Sequence, residues 1–470
     1  MSSKQPSKTM HKMGSHSTIA AISTPPGKGG VAVIRISGAE AFQIADRIFI
    51  PKNKKPLSQA AARMQIYGDI LLQNEPIDDG LATCFPAPHS YTGEDTVEIS
   101  CHGGFLITKM VLSAALTAGA EPASPGEFTR RAFLNGKLSL TDAEAIGNLL
   151  EANTADAVHL ASARSRDRLT VAMDKLQSNA VSLMGSLFAR IDYPDEDLGD
   201  FSDEESIAML RTLLSELDAL IATYRTGRAV NEGIATVICG KPNAGKSTLY
   251  NLLAGEDAAI VTEVEGTTRD VLQKSISLGR VLLRLSDTAG IRETSDLVER
   301  IGVEKTHKCM EDAELIFAVF DTSRPLSAED EALIEELNGL SATTVAILNK
   351  TDLSPAFDIK KIQDLFPHSL PISAKESDVA PLRALVESLF TNGELTIGED
   401  AIVSSARQHA GLLKAREHVS LALEAFLAGL PADAAASDIE RAIGALGELC
   451  GKSVSEAVVS DIFSRFCVGK

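Results

Sequence analysis

Apolar residues fall into three spacings along the chain. Between residues 18 and about 134 they form short runs broken by glycine and proline. The runs 19–22, 31–36, 81–85 and 97–100 predict strands, and the spacing predicts helices over 39–49 and 105–117, a separate α/β domain. Beyond residue 140 the spacing turns helical: Ala143, Ile146, Leu149 and Leu150 mark one face, and Ile207, Leu210, Leu213, Leu214, Leu217, Leu220 and Ile221 another. The acidic stretch 192–205, which contains Pro194, joins two of these helices. From about 231 to 393 strands and helices alternate, the signature of a mostly parallel sheet with right-handed crossovers. Helical spacing then resumes through Leu412, Leu413, Val419, Leu423 and Phe426, through Ile439, Ile443, Leu446 and Leu449, and through Val454, Val458, Ile462 and Phe466. The simplest architecture inserts the 231–393 segment into one discontinuous helical domain; two separate helical domains are the alternative.

The chemistry concentrates in the alternating segment. Gly240-Lys-Pro-Asn-Ala-Gly-Lys-Ser-Thr248 follows the apolar run 234–239 and precedes a helical pattern. A triphosphate needs closely approaching backbone N–H groups, a helix N-terminus aimed at the anion and one fixed positive charge. Gly240, Gly245 and Lys246 meet those needs, Asn243, Ala244 and Thr248 complete the loop, and Ser247 offers a hydroxyl to magnesium. Two further motifs, Asn349-Lys350-Thr351-Asp352 and Ser373-Ala374-Lys375, each follow an apolar run, which puts both at carboxyl ends of strands, where α/β sheets bind ligands. Asp352 can accept hydrogen bonds from the guanine N1–H and exocyclic amine. Adenine has no such donor pair, so the expected nucleotide is GTP.

Between these motifs lie two switch-like loops. Gly266-Thr267-Thr268-Arg269-Asp270 can place Thr268 on magnesium and the γ-phosphate, while Asp287-Thr288-Ala289-Gly290 can reach the magnesium shell and let the Gly290 N–H sense the γ-phosphate. Such loops order with triphosphate and relax after hydrolysis. Ile291 stands where many GTPases carry a water-orienting Gln, and an aliphatic side chain cannot do that. Glu293, Glu299 and Arg292 are the nearby candidates, set against a solvated switch helix with no catalytic duty.

Composition narrows the partners. The 470 residues allow two or three domains, and no apolar run approaches the ~20 residues of a membrane span. Six scattered cysteines without a CxxC pair argue against structural zinc or a disulfide framework, and for a reducing compartment. A net charge of −19 argues against broad nucleic-acid binding, so any RNA contact needs a local basic patch. The first 40 residues differ, with five Lys/Arg and one acid, and 1–17 reads as a polar flexible tail. In the first domain Pro25-Pro-Gly-Lys-Gly-Gly30, Tyr91-Thr-Gly-Glu-Asp95 and Cys101-His-Gly-Gly104 read as turn chemistry, with His102 a structural histidine.

Taken together, PPGKGGVAVIRISG, YTGEDTVEISCHGG, PGEFTRRAFLNGKLSL, GKPNAGKSTLYNLLAG, AIVTEVEGTTRDV, DTAGIRETSDLVERIGVEK and the terminal FCVGK resemble the MnmE (TrmE) family of tRNA-modification GTPases, from Thr18 to Lys470. The resemblance implies a tail at 1–17, a folate-binding and dimerising domain at 18–135, helical segments at 136–230 and 394–470, and a GTPase domain at 231–393. It implies a cytoplasmic homodimer that works on tRNA with the FAD-dependent partner MnmG (GidA), in a heterotetramer or larger complex. The product is an aminomethyl or carboxymethylaminomethyl group on C5 of the wobble uridine of certain tRNAs, its one-carbon unit supplied by a methylene-tetrahydrofolate, and the bound cofactor is 5-formyl- or methylene-tetrahydrofolate.

Carried over by motif, folate contacts fall on Arg35, Glu98, Lys137 and Lys470. Arg and Lys suit the cofactor's carboxylates, and a carboxylate suits the pterin edge. Glu299 matches the family's water-orienting carboxylate. The GTP-binding loop spans Thr262, Glu263, Val264, Glu265, Gly266, Thr267 and Thr268. Potassium ligands are Asn243 with Thr262, Val264 and Thr267, and magnesium ligands are Ser247 and Thr268. Cys467 of the CxGK terminus is a candidate reactive thiol. Lys28, where relatives often carry Arg, and the long tail are the departures. A ribosome-assembly or signalling GTPase would share the G-domain motifs but lack a folate site; a mitochondrial counterpart would share them all.

Overall fold

The computed structural model describes residues 17–192, 202–255, 273–286, 307–375, 379–393 and 395–451, then 459, 462–464, 466 and 468–469. The chain divides into two compact units, 1–147 with 447–470, and 148–446.

The first unit is built on a seven-stranded sheet. Its strands are β1 (Ile19–Ile22), β2 (Val31–Ser37), β3 (Phe49–Pro51), β4 (Gln65–Leu72), β5 (Glu75–Phe85), β6 (Thr96–His102) and β7 (Glu121–Pro122), in the order β3-β4-β5-β6-β2-β1-β7. Alternation decides which face is buried. Ala32, Ile34 and Ile36 of β2 and Val97, Ile99 and Cys101 of β6 lie beneath α1 (Ala41–Ile48) and α2 (Phe105–Thr117). Arg35 and Glu98 face the other way, paired in register. The helix α3 (Glu127–Leu134) and α4 (Leu140–Glu151) complete the unit, with Leu140 and Ala143 packed on Val459 and Phe463. Leu149 and Leu150, expected on the buried face of α4, are exposed, because the helix runs past that small apolar cluster before it ends.

The second unit contains α5 (Ala155–Leu160), α6 (Ala163–Asp192), α7 (Asp203–Ala222) and α8 (Tyr224–Asn231). A six-stranded sheet follows, formed by β8 (Ile234–Cys239), β9 (Gln273–Leu278), β10 (Val281–Ser286), β11 (Leu315–Asp321), β12 (Thr343–Asn349) and β13 (His368–Pro371). Its order is β13-β12-β11-β8-β10-β9, parallel except for β9. The central strands β8, β11 and β12 are nearly continuous apolar runs because both their faces are covered, whereas β9 and β13 at the edges carry polar residues. Leu315, Phe317 and Val319 pack to one side, with α9 (Lys246–Gly255); Ile316, Ala318 and Phe320 pack to the other, against α10 (Ala328–Asn338) and α11 (Lys360–Leu365). The helix α12 (Ala380–Phe390) closes the first side.

Two further helices, α13 (Ala406–Leu427) and α14 (Ala432–Leu449), follow the sheet. The helix α7 buries Leu210, Leu213, Leu217 and Leu220, and it packs against α13, which buries Leu412, Ala415, Val419, Ala422 and Phe426. Helices from before and after the sheet are therefore neighbours. The chain entering the sheet meets the chain leaving it: Val403 N donates to Thr223 Oγ1 at 3.0 Å and Asn392 N to Thr226 Oγ1 at 2.8 Å. Gly227 sits at that crossing, where a Cβ would lie 2.0 Å from the Val403 carbonyl oxygen.

Candidate functional site

The central strand β8 delivers its carboxyl end to a loop, and α9 begins at Lys246, so the helix N-terminus and the backbone N–H groups of the loop converge on one point. Asn243 has φ +63° and Gly245 φ +107°. At Gly245 any side chain fails, since a Cβ would lie 1.9 Å from Asn349 Nδ2. Lys246 Nζ donates to Gly240 O at 2.7 Å and Lys241 O at 2.8 Å, and burial pushes its ammonium below the ordinary lysine range.

Asn349, at the end of β12 and 3% exposed, ties three loops together. Its Nδ2 donates to Ala244 O at 2.8 Å, and its Oδ1 accepts from Ala374 N at 3.0 Å. Asp352 Oδ1 accepts from Ser373 Oγ at 2.9 Å. Around these bonds lies a cavity of about 520 Å³, lined by Asn243, Gly245, Lys246, Ser247 and Thr248 at one end and by Asn349, Lys350, Asp352, Ser373, Ala374 and Lys375 at the other. Ala244 contributes its carbonyl from beneath. Leu353, which the motifs do not single out, also lines the cavity, and its position directly after the Asn-Lys-Thr-Asp run was the available signal. One end thus combines Lys246 with a helix N-terminus, and the other offers the Asp352 carboxylate beside Leu353, the layout a nucleoside polyphosphate requires. Expectations for 262–268, 287–293 and 299 lie outside the described residues, as do Cys467 and Lys470.

Ser247 and Asn243 both open on this cavity with oxygen-bearing side chains, the donor type that magnesium and potassium take. Among the described residues no cluster of three or more His, Cys, Asp or Glu could hold a metal by itself, and no helix is long and apolar enough to cross a membrane.

In the first unit Arg35 binds Glu98 through Nε at 2.9 Å and a terminal nitrogen at 2.8 Å. The Arg35 guanidinium stands 5.3 Å from the Tyr91 ring centroid and 5.5 Å from that of Phe128. Lys137 Nζ donates to Pro88 O at 3.0 Å, and its stem packs beside Gly93 of the same turn as Tyr91. Arg35, Glu98 and Lys137 are therefore grouped around the 88–95 turn. Ser23 Oγ donates to Gly469 O at 3.0 Å, which holds the residue before Lys470 beside β1. A cavity of about 570 Å³ opens there between β1, the 24–29 turn, α2 and Val468. The glycine turns themselves meet backbone to backbone, Gly29 N donating to Gly103 O at 2.9 Å. His102 has a partner as well: Nδ1 lies 2.7 Å from Asp78, whose hydrogen bond and charge raise the imidazole above its usual range.

Residues 18–137 match the family model described as GTP-binding protein TrmE N-terminus, and residues 140–467 match the MnmE helical domain. The tRNA modification GTPase MnmE of Bacillus pumilus is 39% identical over 96% of this chain and 100% of its own length. The protein of the same name from Symbiobacterium thermophilum is 41% identical over 96% and 99%. Among solved structures, Aquifex aeolicus Era aligns at TM-score 0.27 and 26% identity over 40% of this chain and 66% of that one, an overlap too slight to carry an argument.

Proposed function

This chain belongs to the MnmE (TrmE) family of tRNA modification GTPases, and we propose that it is a potassium-dependent GTP hydrolase acting with an FAD-dependent MnmG (GidA) partner. Together they add an aminomethyl or carboxymethylaminomethyl group to C5 of the wobble uridine of certain tRNAs. The observation that carries the nucleotide part is the pair of hydrogen bonds that the Asn349 side chain donates to Ala244 O and accepts from Ala374 N, which joins a phosphate-type loop and a base-type loop around one cavity. In this reading Lys246 and the loop N–H groups hold the phosphates, Asp352 takes the guanine edge, and Ser247 with Thr268 would hold a magnesium ion, which would supply positive charge to the phosphates when bound. Glu299 orients the attacking water.

The one-carbon part is assigned to 18–135, as a folate-binding domain of a cytoplasmic homodimer, and the GTPase part to 231–393, flanked by helical segments 136–230 and 394–470. Its support is the grouping of Arg35, Glu98 and Lys137 around the 88–95 turn, in the same unit whose cavity of about 570 Å³ is bordered by the carboxyl-terminal segment. Arg35 and Lys137 would take anionic or polar groups of a tetrahydrofolate, and Glu98 the pterin edge; the cofactor supplies the one-carbon unit when bound. Arg35→Ala leaves Glu98 without its cation and is expected to weaken 5-formyl-tetrahydrofolate about tenfold, the scale of one charge-assisted hydrogen bond. GTP hydrolysis should be unchanged. The test is folate titration and GTPase assay of the variant, with mass analysis of wobble nucleosides in a deletion strain carrying it. Normal folate affinity with unmodified tRNA would move the cofactor elsewhere, and parallel loss of hydrolysis would indicate a folding defect. A ribosome-assembly or signalling GTPase would bind no folate at all.

A further inference from the structure

Lys350 occupies an uncommon backbone region for its type, φ +66°. That turn separates the duties of its neighbours: Asn349 points to the phosphate loop, Asp352 lies at the far end of the cavity, and the Lys350 side chain runs along the wall between them. A four-carbon stem ending in a mobile ammonium makes a poor wall, because ~2 kcal/mol of rotamer entropy opposes holding it in one place.

The structure supplies an anchor. Asp321, last residue of β11 and paired in register with Asn349 of β12, receives Lys350 Nζ on Oδ2 at 2.6 Å. Its other oxygen is held by Ser323 N at 3.0 Å and Ser323 Oγ at 2.6 Å, and only 12% of its side chain is exposed. Burial alone would raise this carboxyl, but the hydrogen bonds from Lys350 and Ser323 outweigh it and hold the group below the usual range. Arg324 stands 3.8 Å away with a largely exposed side chain and does not displace the lysine. Thr322 adds two donors, N at 3.0 Å and Oγ1 at 2.9 Å, to Asn349 O. The end of β11 is therefore a scaffold for the base end of the cavity, although Asp321 does not line it.

We propose that Asp321 is a positioning residue for nucleotide recognition: by fixing Lys350 Nζ it turns the lysine stem into a rigid apolar wall for the face of the purine ring. This rests on the guanine-nucleotide reading of the cavity. Asp352 reads the edge of the base, whereas the Asp321–Lys350 pair supports its face, so losing the pair weakens purine nucleotides without changing the choice among them.

The test is calorimetric titration of the full chain with GDP, IDP, ADP and inorganic pyrophosphate. Asp321→Ala is expected to weaken GDP and IDP alike by about tenfold, the scale of one hydrogen bond between charged groups, and to leave pyrophosphate unchanged. Lys350→Ala should do the same, and the double variant should be no weaker than Lys350→Ala, because one residue acts through the other. Asp321→Asn keeps the shape and the bonds to Ser323, and is expected to lose about threefold; it decides the matter if the alanine variant does not fold. Additive losses in the double variant, unchanged GDP affinity in Asp321→Asn, or a parallel loss of pyrophosphate in a folded variant would overturn the proposal. If the wild type itself fails to prefer GDP over ADP, the guanine reading fails instead, whatever Asp321 does.

Discussion

Lys246→Ala is expected to weaken GTP and GDP by about 10²- to 10³-fold while the protein still folds. The reason lies in where the ammonium is kept. Its Nζ is held by the carbonyls of Gly240 and Lys241 at 2.7 and 2.8 Å, at the start of α9, in a position that burial makes unfavourable for a lone charge. A phosphate arriving at that helix N-terminus gives the charge its partner. Truncating one side of such a buried pair costs roughly 2–5 kcal/mol, and each 1.4 kcal/mol is tenfold. Two carbonyls also lose their donor, so a drop in thermal stability of about 1–2 kcal/mol should accompany the change. Lys246→Arg is expected to fail too, since a planar fork does not reproduce a compact ammonium shared by two carbonyls.

The pH dependence has a definite sign. Burial lowers the Lys246 pKa in the free site, and bound phosphate raises it. Affinity should therefore fall as pH rises through the free-site value, below the range where an exposed lysine titrates. Fluorescent GDP titration between neutral and alkaline pH checks both points. Binding of Lys246→Ala within threefold of wild type would remove this lysine from the phosphate contacts.

Much of this cavity was legible in the sequence because anion binding constrains spacing tightly. Glycines, a lysine and a hydroxyl must follow a strand in a fixed order, and β8, the loop and α9 follow it. The central strands β8, β11 and β12 were legible for a similar reason, since a strand covered on both faces has no polar face to interrupt its apolar run. The helix at Phe105–Thr117 coincides with its expected limits, while the helix expected over 39–49 is shortened to Ala41–Ile48.

What could not be read depends on contacts between distant residues. The pairing of Asp321 with Lys350 spans 29 positions and leaves no motif. The reach of Asn349 to Ala244 spans 105, and from its own neighbourhood it is one more polar residue at the end of a strand. The strand β4 escaped because Gly68 and Asp69 interrupt its apolar positions, and its identity comes from pairing with β3 and β5. Leu149 and Leu150 mislead in the opposite sense: periodicity marks a face, but only packing decides how far along the helix that face is covered.

Potassium is expected to raise GTP hydrolysis about 10²-fold over sodium at equal ionic strength, and Asn243 is expected to be the residue through which the protein tells them apart. Charge develops near the β–γ bridging oxygen during phosphoryl transfer, and removing one well-placed stabilising group commonly costs about 10²- to 10³-fold. Within the described residues the phosphate end of the cavity has one fixed cation, Lys246, and a neutral oxygen donor at Asn243. Asn243 adopts φ +63°, a left-handed conformation that Asn tolerates better than most side chains. The same turn that exposes the loop N–H groups therefore also brings an amide oxygen to the cavity. A monovalent cation held there would supply the missing charge, and potassium matches carbonyl-type donors that sodium is too small to span. The informative variant is Asn243→Gly, which removes the oxygen without forcing a new side chain into left-handed backbone. Its rate should be equal in the two salts and close to the wild-type rate in sodium, with GDP affinity within about twofold of normal. Alanine at the same place would add strain and confuse the two effects. Equal wild-type rates in potassium and sodium, with activity lost in Arg269→Ala or Arg292→Ala, would establish an arginine as the source of the charge and reject the role given to Asn243.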